Sequence, residues 1–179
     1  MKFERTRFSG LVLVHSERSA DERGYFARVF CEEEFAREGL QVRFPQTSLS
    51  FNLKAGTVRG MHFQRTPHAE TKLIRCSRGV IFDVLVDLRP EEPTFCQWQG
   101  FGLSAENNVA IYVPKGFAHG FQTLVDESEV MYAITPSFVP GFGAGVRWDD
   151  PAIDIRWPLP ISVINERDSA WPLIEKDRP

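Results

Sequence analysis

Two histidine-containing segments interrupt apolar, strand-like stretches of the sequence and carry residues capable of acid–base chemistry. The first is R-G-M-H-F-Q at 59–64, in which Arg59 and His62 lie three positions apart. The second is G-F-A-H-G-F at 116–121, in which glycines on both sides of His119 would let the backbone approach another group closely. Histidine has the ordinary pKa closest to neutral pH and is the usual general acid or base. A lone histidine in a strand is nevertheless more often a packed or surface residue, so neither segment identifies a site by itself.

Short strands separated by glycine and proline must position these side chains. The strongest predicted strand is V-I-F-D-V-L-V-D-L at 80–88, with Phe82, Val84 and Val86 on one face. Other predicted strands span 11–14, 25–30, 58–63, 71–76, 98–103, 109–113, 117–123 and 129–135. Helices are predicted only at 32–38 and, as a short turn, near 168–170. The pattern predicts a mainly β sandwich or barrel, with a jelly roll favoured, and short peripheral helices.

The length of 179 residues predicts one domain, 1–179, with the proline-rich segment 158–179 packing over the barrel. A net charge of −3 gives no basic surface for nucleic acid, and no stretch approaches the roughly 18 apolar residues of a membrane helix. The N-terminal residues lack the apolar run of an export signal, and the three cysteines have no paired spacing. We therefore expect a cytoplasmic protein with no nucleic-acid or membrane partner and with a buried, unreactive Cys76.

Blocks of sequence between Asp21 and Leu173 resemble the dTDP-4-dehydrorhamnose 3,5-epimerase family. The matching blocks span 21–26, 59–64, 72–76, 82–84, 86–89, 93–94, 103–107, 116–121 and 148–151. The R-G-x-H-F-Q and G-F-A-H-G-F blocks in this order are highly specific. The resemblance implies a cupin-type double-stranded β-helix, or jelly roll, that is usually a homodimer. It also implies an epimerase, without metal or other cofactor, that inverts C3, C5 or both of a nucleotide-linked 4-keto-6-deoxy sugar.

The resemblance also implies a role for individual residues. It assigns His62 as the general base and Asp168 as the carboxylate that orients the base. It assigns Tyr132 as the proton donor on the other face of the sugar and Lys72 as the cation near the ketone oxygen. It assigns six substrate-binding residues, which are Arg23, Phe26, Gln46, Arg59, His119 and Phe138. Of these, Arg23 is expected to reach the diphosphate in the partner subunit's site, and Phe138 to stack on the nucleotide base.

The chemistry of a carbon acid calls for such a set. Removing a proton beside a ketone leaves an enolate, so the site needs a base that works near neutral pH and a cationic donor for the carbonyl oxygen. A carboxylate behind an imidazole fixes its tautomer and stabilises the imidazolium. Inversion needs a second acid on the opposite face, for which a phenol is suited. Arginine holds a diphosphate through paired hydrogen bonds.

Three positions near the expected base site depart from the family pattern. Arg28 stands where an acidic residue is common, Ser48 where asparagine is usual, and Phe138 where tyrosine is more usual. These differences bear on recognition of the base more than on the proton chemistry. The preferred nucleotide, the exact sugar and the number of inverted carbons stay open.

Related functions on the same scaffold are alternatives. A mono-epimerase acting on a different nucleotide sugar would keep His62, Tyr132 and Asp168. A 4-keto to 3-keto isomerase is less expected when Tyr132 is present. A non-catalytic module that only binds sugar nucleotides would not need the whole catalytic set.

A metal-dependent cupin oxygenase or isomerase is a more distant alternative. Such a site needs two or three histidines and a carboxylate, and the available residues are His62, His68, Glu70 and His119. A neighbouring Lys72 would repel the cation, so no metal site is predicted.

Overall fold

Short antiparallel strands account for most of the regular secondary structure in a computed structural model, which describes residues 1–174. The strands are β1 Lys2–Arg5, β2 Val12–His15, β3 Arg18–Asp21, β4 Gly24–Ala27, β5 Gln46–Asn52, β6 Val58–Gln64, β7 Thr71–Arg78, β8 Val80–Asp87, β9 Trp98–Ser104, β10 Val109–Val113, β11 Phe117–Thr123, β12 Ser128–Thr135 and β13 Gly143–Gly145. The helices are α1 Glu32–Arg37 and α2 Glu166–Ser169. The end of the predicted segment 158–179 lies outside the described residues.

Two antiparallel sheets contain all of these strands except β3 and β4, which form a separate hairpin. The larger sheet has the order β1-β2-β10-β7-β12-β5, and the smaller has the order β13-β6-β11-β8-β9. Most neighbours in a sheet are distant along the chain, as a jelly roll requires. The predicted mainly β jelly roll with short peripheral helices is therefore confirmed.

The core lies between the sheets because side chains on a strand alternate in direction. On β8, Ile81 and Leu85 belong to the apolar cluster between the two sheets. The alternate residues Val84 and Val86, with Phe82 against them, belong to a second cluster on the outer side of the smaller sheet. The predicted sharing of one face by these last three residues is confirmed.

Predicted strand ends differ from the observed ends by up to three residues, and β1, β3, β5 and β13 were not predicted. The strands β1 and β3 are largely exposed and have no apolar face to mark them in the sequence. The prediction for 25–30 is wrong beyond Ala27, where β4 ends because its pairing with β3 ends there. Among residues 1–174, no helix is long and apolar enough to cross a membrane.

The described part of the C-terminal segment docks against the smaller sheet through specific polar contacts. Gln122 on β11 donates from Nε2 to the Leu159 carbonyl at 2.8 Å and accepts from the Leu159 N–H at 2.9 Å. Val163 pairs with Thr57 just before β6. The segment then enters α2, where the Asn165 side chain accepts from the Asp168 N–H at 2.7 Å and caps the helix.

Candidate active site

A cavity of about 310 Å³ between the two sheets brings most of the predicted site residues together. The predicted residues that line it are Gln46, Arg59, His62, Lys72, His119, Tyr132 and Phe138. A larger cavity, of about 530 Å³, lies among the outward-facing residues of the larger sheet and contains none of the predicted site residues. The smaller cavity is therefore the candidate active site.

The first half of the site is a histidine–aspartate pair, His62 and Asp168, which we call the outer pair. His62 Nε2 lies 2.7 Å from Asp168 Oδ1, and Asp168 Oδ2 accepts from the Gly60 N–H at 3.1 Å. Burial acts to raise the pKa of the Asp168 carboxyl, but the hydrogen bond and charge of His62, together with smaller contributions that include the hydrogen bond from the Gly60 N–H, outweigh burial and lower that pKa. Because the ionised carboxylate accepts the Nε2 proton, Nδ1 is the ring nitrogen left for a substrate.

A glycine permits the close packing behind the outer pair. Gly60 has a φ of +147°, and a Cβ there would lie 2.6 Å from the Gly120 Cα on the paired strand β11. Any side chain would force β6 away from β11, so Gly60 and Gly120 serve the contact between these two strands. Gly60 also leaves its N–H in reach of Asp168.

The second half of the site is another histidine–aspartate pair, His119 and Asp83, which we call the inner pair. His119 Nε2 lies 2.7 Å from Asp83 Oδ1, and both side chains are almost completely buried. His119 lies directly opposite His62 in the pairing of β11 with β6. Asp83 was not predicted as a site residue, and the available signal in the sequence was a charged residue within the apolar run of β8.

Tyr132 faces these pairs from the larger sheet. Its ring meets the His119 ring edge-on, with the centroids 5.8 Å apart. Burial, followed by the negative charge of Asp83, raises the pKa of the Tyr132 phenol above its usual value near 10, and Arg59 acts weakly in the opposite direction. The phenol is therefore protonated at neutral pH, which is the form that has a proton to give.

Lys72 supplies a cation on the same side of the cavity as Tyr132, since β7 and β12 are neighbours in the larger sheet. Its Nζ lies 2.7 Å from Glu70 Oε1, and both side chains are largely buried. Gln64 donates to the other Glu70 oxygen at 3.1 Å. Glu70 was considered only as a metal ligand in the sequence, whereas the structure places it as the partner of Lys72.

Of the three residues predicted to lie near the nucleotide base, Gln46 and Phe138 line the cavity, whereas Phe26 does not. Gln46 Oε1 accepts from the Phe138 N–H at 2.9 Å, and the Phe138 ring is half exposed. Arg59 is anchored by Asn52, whose Oδ1 accepts from Nε at 2.7 Å. Arg167 also lines the cavity, with its guanidinium 5.0 Å from the Trp171 ring centroid. Sequence reasoning missed Arg167, although its place beside Asp168 was the available signal.

Two predicted site residues lie apart from the cavity. Arg23 follows β3 in the hairpin, its side chain is 84% exposed and its Nη2 contacts Asp21 at 2.5 Å. Phe26 on β4 is 75% exposed. Within one chain, the structure does not bring these two residues to the other site residues.

Residues that could hold a metal ion do not cluster in residues 1–174. No group of three or more His, Cys, Asp or Glu side chains has the required arrangement there. The two cavity histidines are each engaged by an aspartate instead. Cys76 is buried, as predicted, and burial raises the pKa of its thiol to about 11.

The chain is similar over nearly its whole length to proteins of one kind. A family model described as dTDP-4-dehydrorhamnose 3,5-epimerase matches residues 5–176. A dTDP-4-dehydrorhamnose 3,5-epimerase from Methanothermobacter thermautotrophicus is 44% identical, and the match covers 95% of this chain and 92% of that protein. The crystal structure of the enzyme of the same name from Bacillus anthracis, with TDP and PPi bound, has a TM-score of 0.94 and 40% identity, covering 97% of this chain and 99% of that one. A dTDP-4-dehydrorhamnose 3-epimerase from Streptomyces niveus is 33% identical and covers 99% of this chain and 86% of that protein.

Proposed function

Because the chain belongs to the dTDP-4-dehydrorhamnose 3,5-epimerase family, we propose that it inverts C3, C5 or both of a nucleotide-linked 4-keto-6-deoxy sugar. The observation that carries this proposal is the arrangement of the cavity. An imidazole backed by a carboxylate lies on the smaller sheet, and a protonated phenol and an ammonium lie on the larger sheet. A sugar ring between the sheets would have a base on one face and an acid on the other.

His62 is the proposed base. Its free Nδ1 takes the proton from the carbon beside the ketone, and the electron pair of that C–H bond moves into the enolate. Asp168 accepts from Nε2 throughout and stabilises the imidazolium that forms. The side chain of His62 is 40% exposed, so the proton it takes can exchange with water.

Lys72 and Tyr132 are proposed to complete the inversion. The Lys72 ammonium donates to the enolate oxygen, where the negative charge collects. Glu70 holds that ammonium in place before the substrate binds. Tyr132 then gives its phenol proton to the carbon from the face opposite His62, which inverts the configuration. The phenolate regains a proton from water and the His62 imidazolium releases one to water, which restores both groups.

The remaining predicted residues are proposed to hold the nucleotide and sugar. Arg59 and His119 line the part of the cavity nearest the catalytic groups, and Gln46 and Phe138 lie together at the opening. An aromatic face there can stack on any nucleotide base, which supports the proposed role of Phe138 without selecting one base.

A homodimer is proposed because two of the binding residues are far from the cavity of their own chain. Arg23 and Phe26 project from an exposed hairpin, where a second copy could receive them. The edge strand β5, which begins at the cavity residue Gln46, also exposes Leu49 and Phe51. Unpaired, apolar edges of this kind are covered in stable proteins.

The domain arrangement and location are also proposals. We propose that residues 1–179 form one domain, and the contacts of Gln122 and Val163 support docking of the segment that begins at residue 158. A cytoplasmic location fits cysteines that form no disulfide within residues 1–174.

Deuterium exchange tests the proposed function. The protein is incubated in heavy water with dTDP-4-dehydro-6-deoxyglucose, and NMR follows deuterium at C3 and C5. Exchange at both carbons with formation of the epimer is expected for a double epimerase. Exchange at C3 alone would make the chain a mono-epimerase, the activity named for its Streptomyces niveus relative. No exchange with the thymidine, guanosine or cytidine diphosphate sugar would contradict the proposal.

A further inference from the structure

Asp83 is a carboxylate at a position where the strand pattern calls for an apolar side chain. It lies on β8 between Ile81 and Leu85, which belong to the cluster between the sheets, and it is completely buried. Its Oδ1 is paired with His119 Nε2, whereas Oδ2 has no hydrogen-bond partner within residues 1–174. An ionised carboxylate with an unpaired oxygen in an apolar core opposes folding. Packing therefore does not explain this residue.

Asp87 on the same strand shows what a structural carboxylate looks like in this fold. It is equally buried, but its Oδ1 accepts from the Arg89 N–H and Nε, and its Oδ2 accepts from Arg89 Nη2 and from the Thr94 hydroxyl. Both oxygens are satisfied, and the pair holds the turn after β8. Asp83 has one partner, and that partner lines the cavity.

The surroundings of Asp83 connect it to the proton donor. The ring of His119, held through Nε2, meets the ring of Tyr132 edge-on at 5.8 Å. The charge of Asp83, after burial, contributes to the raised pKa of the phenol. The Tyr132 hydroxyl makes no hydrogen bond within residues 1–174, and the ring contact with His119 is what joins Tyr132 to the inner pair.

We propose that Asp83 is a positioning residue that acts through His119 on the face of the sugar where Tyr132 returns the proton. The inference rests on the proposed function. Asp83 fixes the orientation of the His119 ring, and its negative charge disfavours the phenolate that Tyr132 becomes when it gives up its proton, so Tyr132 regains a proton from water before the next enolate forms. His62 and Asp168 remove the proton on the other face of the sugar. A change in the inner pair is therefore expected to slow the return of the proton without an equal effect on its removal.

This separation gives the test, which compares exchange with inversion in Asp83→Asn. The variant keeps the size of the side chain and removes its charge. Deuterium exchange by His62, with return of deuterium to the same face, is expected to fall less than about 3-fold, whereas net inversion falls about 10-fold to 100-fold. The ratio of exchange to inversion therefore rises. Its Tm is expected to stay level or rise, because an incompletely paired buried charge is removed.

Asp87→Asn is the matched control, since it makes the same change on the same strand. It is expected to lower Tm, because it breaks the contacts to Arg89 and Thr94, and to leave the ratio of exchange to inversion unchanged. If Asp83→Asn lowers both rates in parallel with Tm, or changes neither, Asp83 is structural and the inference is wrong. In those cases turnover by the wild-type protein still supports the proposed function. Absence of exchange in the wild-type protein would contradict the proposed function itself.

Two further measurements cover a failure of Asp83→Asn to fold. Asp83→Leu suits the neighbours Ile81 and Leu85 and is expected to show the same rise in the ratio. In the wild-type protein, which has only four histidines, NMR of the ring nitrogens is expected to show a slowly exchanging proton on His119 Nε2. An unprotonated Nε2 would contradict the inference.

Discussion

The outer pair and the inner pair share one contact distance but are built in different ways. His62 and Asp168 are 2.7 Å apart, with the imidazole 40% exposed and the carboxylate supplied by α2 in the C-terminal segment. His119 and Asp83 are also 2.7 Å apart, with the imidazole 5% exposed and both residues on neighbouring strands. A base must reach the substrate and exchange its proton with water, which only the exposed imidazole can do readily. The two contacts have the same length, so the exposure of the imidazole is what distinguishes the proposed base from the histidine that holds other groups in position.

The carboxylates of the two pairs differ in how many of their oxygens have hydrogen-bond partners. Asp168 has both oxygens satisfied, by His62 and by the Gly60 N–H, and its lowered pKa keeps it ionised behind the base. Asp83 has one unpaired oxygen in the apolar core. Changes at the outer pair are therefore expected to cost both catalysis and docking of the C-terminal segment.

The largest effect is expected from His62→Asn. Loss of the base should lower kcat/KM by about 10³-fold and remove deuterium exchange at both carbons, because the variant lacks the imidazole that is proposed to take the proton. Binding of dTDP should change little, and calorimetry measures it. The same change at His119 should weaken substrate binding but leave exchange measurable. Equal loss of exchange in the two variants would erase the distinction between the pairs.

A smaller loss is expected from Asp168→Asn, since the imidazole remains. An amide in this position can present its NH₂ group to His62 Nε2, which selects the wrong tautomer and withdraws the charge that stabilises the imidazolium. We expect kcat to fall roughly 10²-fold, with KM nearly unchanged, in steady-state assays. A larger change in KM than in kcat would assign Asp168 to substrate binding.

The sequence predicted the catalytic residues on strands better than it predicted the docking of the C-terminal segment that carries Asp168. His62, Lys72 and Tyr132 lie on strands whose alternation was readable, and the structure places all three around one cavity. Asp168 could be named by resemblance, but no strand or helix pattern indicates that residues 158–174 bring it to Gly60. That contact depends on long-range docking, which local periodicity does not encode.

The inner pair and the hairpin were harder to predict for different reasons. Asp83 lies within the apolar run of β8, so the interior side of the strand was known only after the sheets were placed against each other. The hairpin strand β3 has no buried residue and hence no apolar signal. The placement of Arg23 and Phe26 relative to a cavity depends on a second chain, so one sequence could supply it only through resemblance.

Gly145→Ala tests how docking of the C-terminal segment positions Asp168, and its expected effect on kcat is smaller than that of Asp168→Asn. A Cβ at Gly145 would lie 2.5 Å from Trp171 Cε2 and 2.7 Å from the Met61 carbonyl, so the end of the C-terminal segment must shift. Because Trp171 follows Asp168 closely, the His62 contact should lengthen and kcat should fall about 10-fold. Gly102→Ala on β9 is the control, since a Cβ there meets nothing within 4 Å. Equal activity of the two variants would separate docking from catalysis.

The smallest effect is expected in the pH dependence of stability. The pKa of Asp168 is lower in the folded protein than its ordinary value near 3.8, so the ionised carboxylate stabilises the fold above that pH. This contribution is lost as the pH falls through the folded pKa, because the protonated acid no longer attracts His62. The free energy of unfolding of the wild type should therefore exceed that of Asp168→Asn at pH 6, and the difference should begin to shrink as the pH falls below about 4. Urea denaturation at several pH values measures the difference, and a gap that stays constant down to pH 3 would show that the outer pair stabilises the fold by packing and not by charge.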